Sequence, residues 1–413
     1  MNVSSVLRSA PLRALVAAEV ISTTGSQMTW VALPWFVLTT SGSATRMSFV
    51  VAAEVIGMGL LTLPGTRLLG GLGARRTMMV CDAARAPLMV LIPVLNWANA
   101  LSFPLLLAIA FAIGALTAPS FAAHKLILPE LFGEDEQLVT EANALTQAAS
   151  RASLLLGPVV AGVLISVIGA PAVLLVDGAS YVVSFLLVAL FVPRRPPIEA
   201  PEEGRSVKAA FRFLMREPLL RIWGPALAIG DMAWTAFFVA VPVLVVARFD
   251  SNPRIVGWLF ASFGLGALLG NAISYRVARR IEGTQLIATF ILGQALPLWL
   301  LTLQLPAGAY AGALAVSGIA NGIVNPPLHA TMTLRVPPAL RPTVLPTMML
   351  TWTILQPIGL FVVGPVLDTF GTEPVMIAFA VIQTLMMGLA ALACIWVRPR
   401  EAVTALAAGS PSQ

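Results

Sequence analysis

The sequence predicts an all-α membrane protein, in which twelve transmembrane helices form two pseudo-symmetric six-helix bundles. Three observations predict this class: charge is scarce, long apolar segments recur, and residues repeat between the two halves of the chain. Of the 413 residues, 58% are hydrophobic and 11% are charged, and the mean hydropathy is +0.88. A soluble globular protein carries about 25% charged residues, so lipid is expected to cover the outside of this chain.

Twelve apolar segments are long enough to cross the hydrocarbon core of a bilayer, which takes about 20 helical residues. The first six lie near residues 12–38, 45–69, 77–96, 103–123, 143–168 and 171–193. The second six lie near residues 218–246, 254–276, 284–303, 307–331, 342–366 and 373–397. The span nearest the N-terminus, residues 12–38, is too long for the apolar core of a signal peptide, so we expect it to remain uncleaved.

The distribution of basic residues predicts the orientation of these spans. All but four of the 25 Lys and Arg residues fall on one side; Arg46, Arg248 and Arg254 fall on the other, and Arg151 falls within span five. Because Lys and Arg concentrate in cytoplasmic loops, both termini are predicted to be cytoplasmic, as an even number of spans requires. The net charge of +6 is therefore interpreted as an orientation signal and not as a nucleic-acid-binding surface.

The two halves of the chain repeat each other in order. Val31 to Pro34 reappears as Val239 to Pro242, an offset of 208 positions that also relates Arg46 to Arg254. Farther along, an offset of 202 relates one set of glycines to another, namely Gly157, Gly162 and Gly169 to Gly359, Gly364 and Gly371. Transporters built from such repeats bind their substrates near the membrane midplane, between the repeats.

This repeat predicts the domain organisation. We expect an N-terminal six-helix bundle over residues 1–193 and a C-terminal six-helix bundle over residues 218–400. Between them, residues 194–217 are predicted to be a cytoplasmic linker with an amphipathic surface helix. Residues 401–413 are predicted to be a disordered cytoplasmic tail.

Several short motifs resemble those of a known transporter family. They are Gly73-Ala74-Arg75-Arg76 with Asp82-Ala83-Ala84-Arg85 after span two, Leu128-Pro129-Glu130-Leu131 with Glu141-Ala142-Asn143-Ala144-Leu145 before span five, Gly157-Pro158-Val159-Val160-Ala161-Gly162 within span five, and Asp177-Gly178-Ala179-Ser180-Tyr181 within span six. Through these motifs the chain resembles the major facilitator superfamily, and the resemblance covers nearly its whole length. It is most similar to the bacterial drug-efflux branch that includes macrolide and siderophore exporters.

The resemblance implies roles for some of these residues. Gly157, Pro158 and Gly162 match the antiporter motif of that branch, in which small residues permit close helix contact. Gly70 and Gly71 stand where the loop motif of the family has Asp-Arg, whose acid helps to pair the halves and gate the inner side. The remaining charges of this region are then candidate partners or gate residues, namely Asp82, Arg85, Arg75 and Arg76.

Ionisable side chains within the spans are candidates for the transport mechanism, because each costs about 2.5–3.5 kcal/mol on insertion scales. Glu54 and Asp231 lie near the middle of their spans, and Glu19 lies nearer the cytoplasmic side. As access alternates, such a carboxyl group can take a proton from one side and release it to the other. We predict proton coupling at these three acids, the alternative being structural acids bonded to neighbouring polar side chains.

Two further charges lie within spans. Arg151, in span five, is predicted to be a counter-ion for a carboxylate or a gate residue. Asp177, near the end of span six, is predicted to be a structural acid. Aromatic and amide residues of the spans are candidates for lining the substrate cavity, with helix packing as the alternative; they are Gln27, Trp30, Trp234, Phe238, Asn325 and Gln356.

Other site classes are not indicated by the sequence. Cys81 and Cys394 are predicted to be buried thiols, and the isolated His124 and His329 do not suggest a metal site. No Gly-x-x-x-x-Gly-Lys-Ser/Thr motif for ATP binding occurs, so transport is expected to depend on gradients. No cofactor is predicted, and no enzymatic activity.

The favoured function is therefore secondary transport across the plasma (inner) membrane. We predict proton-coupled efflux of hydrophobic or amphipathic small molecules by a monomer through alternating access, the export direction being implied by the resemblance alone. One alternative is a facilitator or importer of a lipid, peptide or metabolite with the same fold. Another, of a different class, is a non-transporting membrane sensor or scaffold.

Overall fold

The computed structural model describes residues 9–133, 136–194, 207–278 and 280–397, and within them it contains thirteen α-helices. The tail prediction for residues 401–413 and half of the predicted linker, residues 195–206, lie outside the described residues. The first six helices belong to the N-terminal half of the chain. They are α1 (Ala10–Ser41), α2 (Ala44–Leu72), α3 (Ala74–Trp97), α4 (Phe103–Phe132), α5 (Glu136–Ile168) and α6 (Ala170–Phe191).

A short helix, α7 (Val207–Arg216), precedes the C-terminal half. The helices of that half are α8 (Leu220–Arg248), α9 (Pro253–Val277), α10 (Gly283–Phe290), α11 (Ala307–Arg335), α12 (Arg341–Phe370) and α13 (Thr372–Trp396). Two 3-10 segments, Ile291–Gln294 and Leu296–Thr302, continue α10. Among the described residues, eleven segments are long and apolar enough to cross a membrane.

Helix α1 is not among those eleven, although it is 32 residues long. Its middle carries a run of polar residues from Ser22 to Gln27. These side chains face other helices: Thr24 donates a hydrogen bond to Ser153 on α5 at 2.9 Å, and Ser26 is hydrogen-bonded to Tyr181 on α6 at 2.9 Å. The polarity that lowers the apolar character of α1 is thus used for contacts inside the N-terminal half.

The ninth predicted span differs from the uninterrupted helix that its apolar composition suggests. Residues 284–303 form α10 followed by 3-10 turns. Pro297 has no N–H to continue an α-helical ladder, and Gly293 lowers the helix propensity just before it. The carbonyl of Gln294 accepts a hydrogen bond from Ser317 on α11 at 2.6 Å. Because a 3-10 helix is wound more tightly than an α-helix, the side chains of this stretch point in other directions than those of a continuous α-helix.

Glycines permit close backbone contact inside each half. On α11, Gly318 and Gly322 face the backbone of α9 at Phe263 and Ala267. On α4, Gly114 faces the backbone of α2 at Glu54. Gly114 and Gly322 are 208 positions apart, so the repeat offset of the sequence relates two equivalent helix crossings. Small residues at such crossings allow the van der Waals contact that associates helices in lipid.

The two halves contact each other chiefly through two helix pairs, α2 with α12 and α5 with α9. In the first pair, Gly364 lies against Ser48. In the second, Gly162 lies against Pro253 and Gly257. The offset of 202 that relates Gly162 to Gly364 therefore describes a two-fold relation between the two inter-half contacts.

The buried apolar residues show that the halves are joined at one end and separate at the other. We call the end near Arg13, Arg75 and Arg335 the basic end, and the end near Ser43 and Arg254 the opposite end. The largest buried cluster combines residues from the opposite ends of both halves. At the basic end, within the described residues, one cluster belongs to the N-terminal half alone and another to the C-terminal half alone. The molecule is therefore closed at its opposite end.

Helix α7 lies against the C-terminal half at the basic end. Ala210 and Leu214 are buried beside Trp223, whereas Lys208 and Arg212 are exposed. Next to it, a Glu217 side-chain oxygen accepts a hydrogen bond from the backbone N–H of Leu220 at 2.6 Å, and the carboxylate pairs with Arg335 at 2.8 Å. These contacts fix the entry of the chain into α8.

We expect Gly318→Val to destabilise the protein, because a Cβ at Gly318 would lie 3.0 Å from the carbonyl carbon of Phe263, and backbone cannot move aside. Overpacking of this kind costs about 1–3 kcal/mol. Gly312→Val, on the same helix with nothing within 4 Å of the new Cβ, is the matched control. Thermal unfolding of the purified variants in detergent measures the effect, and equal midpoints for the two would contradict this account of the crossing.

Candidate functional site

A cavity of about 160 Å³ lies inside the C-terminal half. We call it the C-terminal pocket. It contains three residues that the sequence suggests, Asp231, Trp234 and Asn325. Its full described lining comes from α8, α9, α11, α12, α13 and the first 3-10 segment, and it comprises Leu227, Gly230, Asp231, Trp234, Phe263, Ile291, Gln294, Ser317, Asn321, Val324, Asn325, Leu328, His329, Trp352, Gln383 and Met387.

Three amide side chains form a hydrogen-bonded series in the C-terminal pocket, which we call the amide ladder. Asn325 Nδ2 donates to Asn321 Oδ1 at 2.9 Å, and Asn321 Nδ2 donates to Gln294 Oε1 at 3.0 Å. Asn321 and Asn325 are four residues apart on α11, so they share one helix face. Gln294 reaches them from the first 3-10 segment after α10. The break in span nine therefore helps to build the pocket.

Asp231 is the only carboxylate among the described lining residues of the C-terminal pocket. Gln356 Nε2, on α12, donates a short hydrogen bond of 2.5 Å to Asp231 Oδ2. Beside it, Gln383 Nε2 on α13 donates to the carbonyl of Gly230 at 2.7 Å. Amide side chains from two other helices thus surround the acid-bearing turn of α8.

Aromatic rings form another wall of the C-terminal pocket. The Trp234 ring lies 4.8 Å from that of Phe263, measured between centroids, and 5.5 Å from that of Phe379, which packs behind it and does not line the pocket. The buried indole nitrogen of Trp352 has no hydrogen-bond partner among the described protein groups. Phe238 also contacts Trp234, with ring centroids 5.8 Å apart, but it is not one of the lining residues.

The candidate cavity residues of α1 lie away from this pocket. The side chain of Gln27 lies against Gly157 of α5, and Trp30 is 41% exposed. The structure therefore brings Trp234, Asn325 and Gln356 together around Asp231, and it does not bring Gln27, Trp30 or Phe238 into that group.

Glu19 is paired inside the N-terminal half. Its carboxylate contacts His124 Nδ1 on α4 and accepts hydrogen bonds from Ser150 on α5 at 2.5 Å and from Thr23 at 3.2 Å. His124 was not a predicted site residue, because it is isolated in the sequence. The only available signal was its position next to Lys125, directly after the predicted fourth span.

Two further predicted charges, both on α3, are bonded within the same half. Asp82 and Arg85, 0% and 4% exposed, form an ion pair at 2.9 Å. Arg85 also donates to Ser120 on α4 at 2.8 Å, and its guanidinium lies 4.3 Å from the centre of the Tyr181 ring on α6. Ser184 donates to Asp82 at 2.7 Å. These two charges thus connect α3, α4 and α6.

The other candidate gate residues lie nearer the surface. Arg75 donates to the backbone carbonyls of Ala189 and Val192, at 2.9 and 2.7 Å, where α6 ends. Cationic side chains at this position stabilise the carboxyl end of a helix. Arg76 and Arg151 are exposed.

Asp177 and Glu54 differ in their contacts, although they lie close enough for electrostatic interaction. Asp177 is fully buried and accepts hydrogen bonds from Thr29 at 2.5 Å and from Ser180 at 3.0 Å. Within the described part of the chain, no hydrogen bond holds the Glu54 carboxyl group. Glu54 lies on α2 where that helix crosses α4 at Gly114.

The motif residues of α5 lie at its contacts with other helices. Gly157 faces Gln27 of α1, and the carbonyl of Pro158 faces Gly257 of α9. Gly162 faces Pro253 and Gly257 of the same helix. The antiporter-like motif therefore forms part of the α5–α9 contact between the halves.

At the opposite end, Asp368 of α12 caps the first turn of α2. Its two carboxylate oxygens accept hydrogen bonds from the backbone N–H groups of Ala44 at 2.8 Å and Thr45 at 2.9 Å, and from the Ser43 hydroxyl at 2.8 Å. The first N–H groups of a helix otherwise lack partners. At the second contact between the halves, Arg254 of α9 donates to Ser166 of α5 at 2.8 Å. Ser166 and Asp368 are 202 positions apart.

Comparison with known proteins gives a consistent result. Residues 15–359 match the family model described as Major Facilitator Superfamily. The chain is 28% identical over 402 residues to the multidrug efflux pump Tap of Mycolicibacterium fortuitum, covering 92% of this chain and 95% of that protein. It is 30% identical over 184 residues to the enterobactin exporter EntS of Citrobacter koseri, covering 42% and 43% of the two chains.

Solved structures of transporters share the fold. The nucleoside transporter NupG superimposes with a TM-score of 0.74 at 14% identity, covering 94% of this chain and 99% of that chain. A bacterial homologue of the human lysosomal transporter Spinster, in an inward-facing and unoccupied conformation, superimposes with a TM-score of 0.69 at 14% identity. That match covers 93% of this chain and 96% of the other.

We expect Asp368→Ala to favour opening at the opposite end. Loss of a helix cap costs about 1 kcal/mol, which corresponds to about a fivefold shift in the balance between conformations. Spin labels at Ala100→Cys and Glu373→Cys, with Cys81 and Cys394 replaced by Ala, would report a longer distance population by double electron–electron resonance. Thr369→Ala, which removes only a hydroxyl bonded within α12, is the control. An unchanged distance distribution in Asp368→Ala would count against the capping role.

Proposed function

Because the chain belongs to the Major Facilitator Superfamily, we propose that it exports hydrophobic or amphipathic small molecules in exchange for protons. The observation that carries this proposal is the division of the buried apolar residues, which are joined at the opposite end and separate at the basic end. Alternating access needs such an arrangement, because one end must be closed while the other communicates with a central site.

The chain is a multi-pass protein of the plasma membrane. Its proposed topology has twelve spans, namely the eleven apolar segments and α1, whose polar side chains contact α5 and α6. By the positive-inside rule the basic end is cytoplasmic. Both termini then lie in the cytoplasm, and the halves are separate on the side from which an exporter takes its substrate.

The direction of transport is proposed from the relatives. One is named a multidrug efflux pump and another an enterobactin exporter, and the first matches nearly the full length of this chain. The proposed transporter acts as a monomer, in which the two contacting halves of one chain enclose the path between them.

Proton coupling is proposed at Glu54 and Asp231, with Glu19 as a third candidate. Protonation of Glu54 breaks no hydrogen bond in the described structure. Protonation of Asp231 affects one hydrogen bond, which the carboxylate accepts from Gln356. Protonation of Glu19 has to break its pairing with His124. The first two acids are therefore the easier ones to load with a proton and to unload.

We expect cells that overexpress the protein to export ethidium, and a protonophore to abolish that export. The double variant Glu54→Gln, Asp231→Asn keeps the shape of both side chains and removes both protonation sites. We expect it to lose active export, measured as the rate of ethidium efflux from preloaded cells. Glu373→Gln, at an exposed carboxylate near the start of α13, is the control and should export normally.

Three other outcomes of this efflux experiment would each lead to a different conclusion about coupling or direction. Protonophore-sensitive export by the double variant would move coupling to Glu19, to be tested by Glu19→Gln. If a protonophore does not reduce export by the native chain, that result would contradict proton coupling. Uptake instead of efflux would reverse the proposed direction and favour an importer of the same fold.

A further inference from the structure

We propose that the C-terminal pocket binds the head group of the transported molecule, and that this head group is an organic cation that also carries hydrogen-bonding groups. The inference rests on the proposed transport function and narrows its substrate class. A ligand cation bearing amine, hydroxyl or amide groups is expected to be preferred over an equally charged cation that lacks them.

The charge of the pocket favours a cation. Asp231 is the only carboxylate among the described lining residues, and that lining contains no Lys or Arg. Trp234, Phe263 and Trp352 add aromatic faces, which attract cations through the ring quadrupole. His329 is the other titratable lining residue; as a neutral imidazole it offers one donor and one acceptor. A cation can therefore pair with Asp231 while contacting aromatic rings.

The unused hydrogen-bonding capacity of the pocket favours polar groups on that cation. Within the amide ladder, Asn325 donates to Asn321 and Asn321 donates to Gln294. This leaves the Asn325 carbonyl oxygen at one end and the Gln294 amide nitrogen at the other for further bonds. The buried indole N–H of Trp352 also has no partner among the described protein groups. An apolar head group would leave these polar groups without bonds, which costs about 1–3 kcal/mol for each buried group.

The size of the pocket limits it to part of a ligand. Pockets for whole drug-sized molecules measure about 300–1,000 Å³, whereas this cavity measures about 160 Å³. The apolar remainder of an amphipathic molecule must therefore lie outside it, in the space between the halves or against lipid. This division matches a substrate class with one polar cationic end and one apolar end.

The position of the pocket also matters for transport. All of its described lining belongs to the C-terminal half, so the pocket moves with that half when the halves change their relative position. A head group bound there stays bound while access changes from one side to the other. Release then needs competition at Asp231, which a proton can provide.

The test is equilibrium binding of three probes to the purified full chain in nanodiscs. Ethidium is a cation with two amino groups, tetraphenylphosphonium is a cation without hydrogen-bonding groups, and chloramphenicol is neutral. We expect Asp231→Asn to weaken binding of both cations about tenfold or more, since a charged partner is lost. Binding of chloramphenicol should not change.

The ladder and the indole are tested separately. We expect Asn321→Leu and Trp352→Phe each to weaken ethidium binding about three- to tenfold, which corresponds to loss of one hydrogen bond. Tetraphenylphosphonium binding should stay within about twofold. Trp299→Phe is the matched control for Trp352→Phe, because its indole N–H donates to Thr384 at 3.0 Å on the exposed surface. Thermal unfolding of each variant verifies that it is folded.

Two results would overturn the inference. One is equal weakening of all three probes by Asn321→Leu and Trp352→Phe, as a general structural defect would produce. The other is binding that none of the three variants changes. Because binding is measured without a gradient, these failures differ from failure of the proposed function, which would show native binding behaviour without active efflux from cells.

Discussion

Backbone contact at a few helix crossings determines where the two halves of this protein meet and where they separate. At the α5–α9 contact the carbonyl of Pro158 faces Gly257, and at the α2–α12 contact Gly364 faces Ser48. There is no room for a side chain between these helices, so the contacts cannot be adjusted gradually. Such crossings suit the proposed alternating access, in which the halves rock as nearly rigid bodies. Asp368 holds the first turn of α2 from the other half, which adds a directional contact to this closure.

Composition predicts the spans well because lipid imposes one rule on every helix that crosses it. The eleven apolar segments follow that rule, and one pair of the repeated glycines, Gly162 and Gly364, lies at the contacts between the halves. The broken ninth span was not predicted, because Gly293 and Pro297 are tolerated inside membrane helices and do not by themselves specify 3-10 turns. The pairing of Glu19 with His124 could not be predicted either, because it joins two helices that only the tertiary structure brings together.

Polar groups are distributed differently in the two halves. In the N-terminal half, the buried charges Asp82 and Arg85 are paired with each other. In the C-terminal half, neutral amides surround the single carboxylate of the pocket. Paired charges are costly to separate once they are desolvated, so they favour a fixed arrangement. Neutral amides can exchange hydrogen bonds with a ligand at lower cost. The C-terminal half is thus better suited to recognising polar groups that differ from one ligand to the next.

The proposed coupling requires a physical connection between the acids of the two halves, and the α2–α12 contact is the candidate for it. Glu54 lies on α2, and Asp231 is hydrogen-bonded to Gln356 on α12. The same two helices meet at Gly364 and at Asp368 near the opposite end. A change at Asp231 that releases Gln356 acts on α12 directly, and a change at Glu54 acts on α2. In the proposed mechanism both acids bias the same element, the contact that closes the molecule, which is the condition for energetic coupling between distant sites.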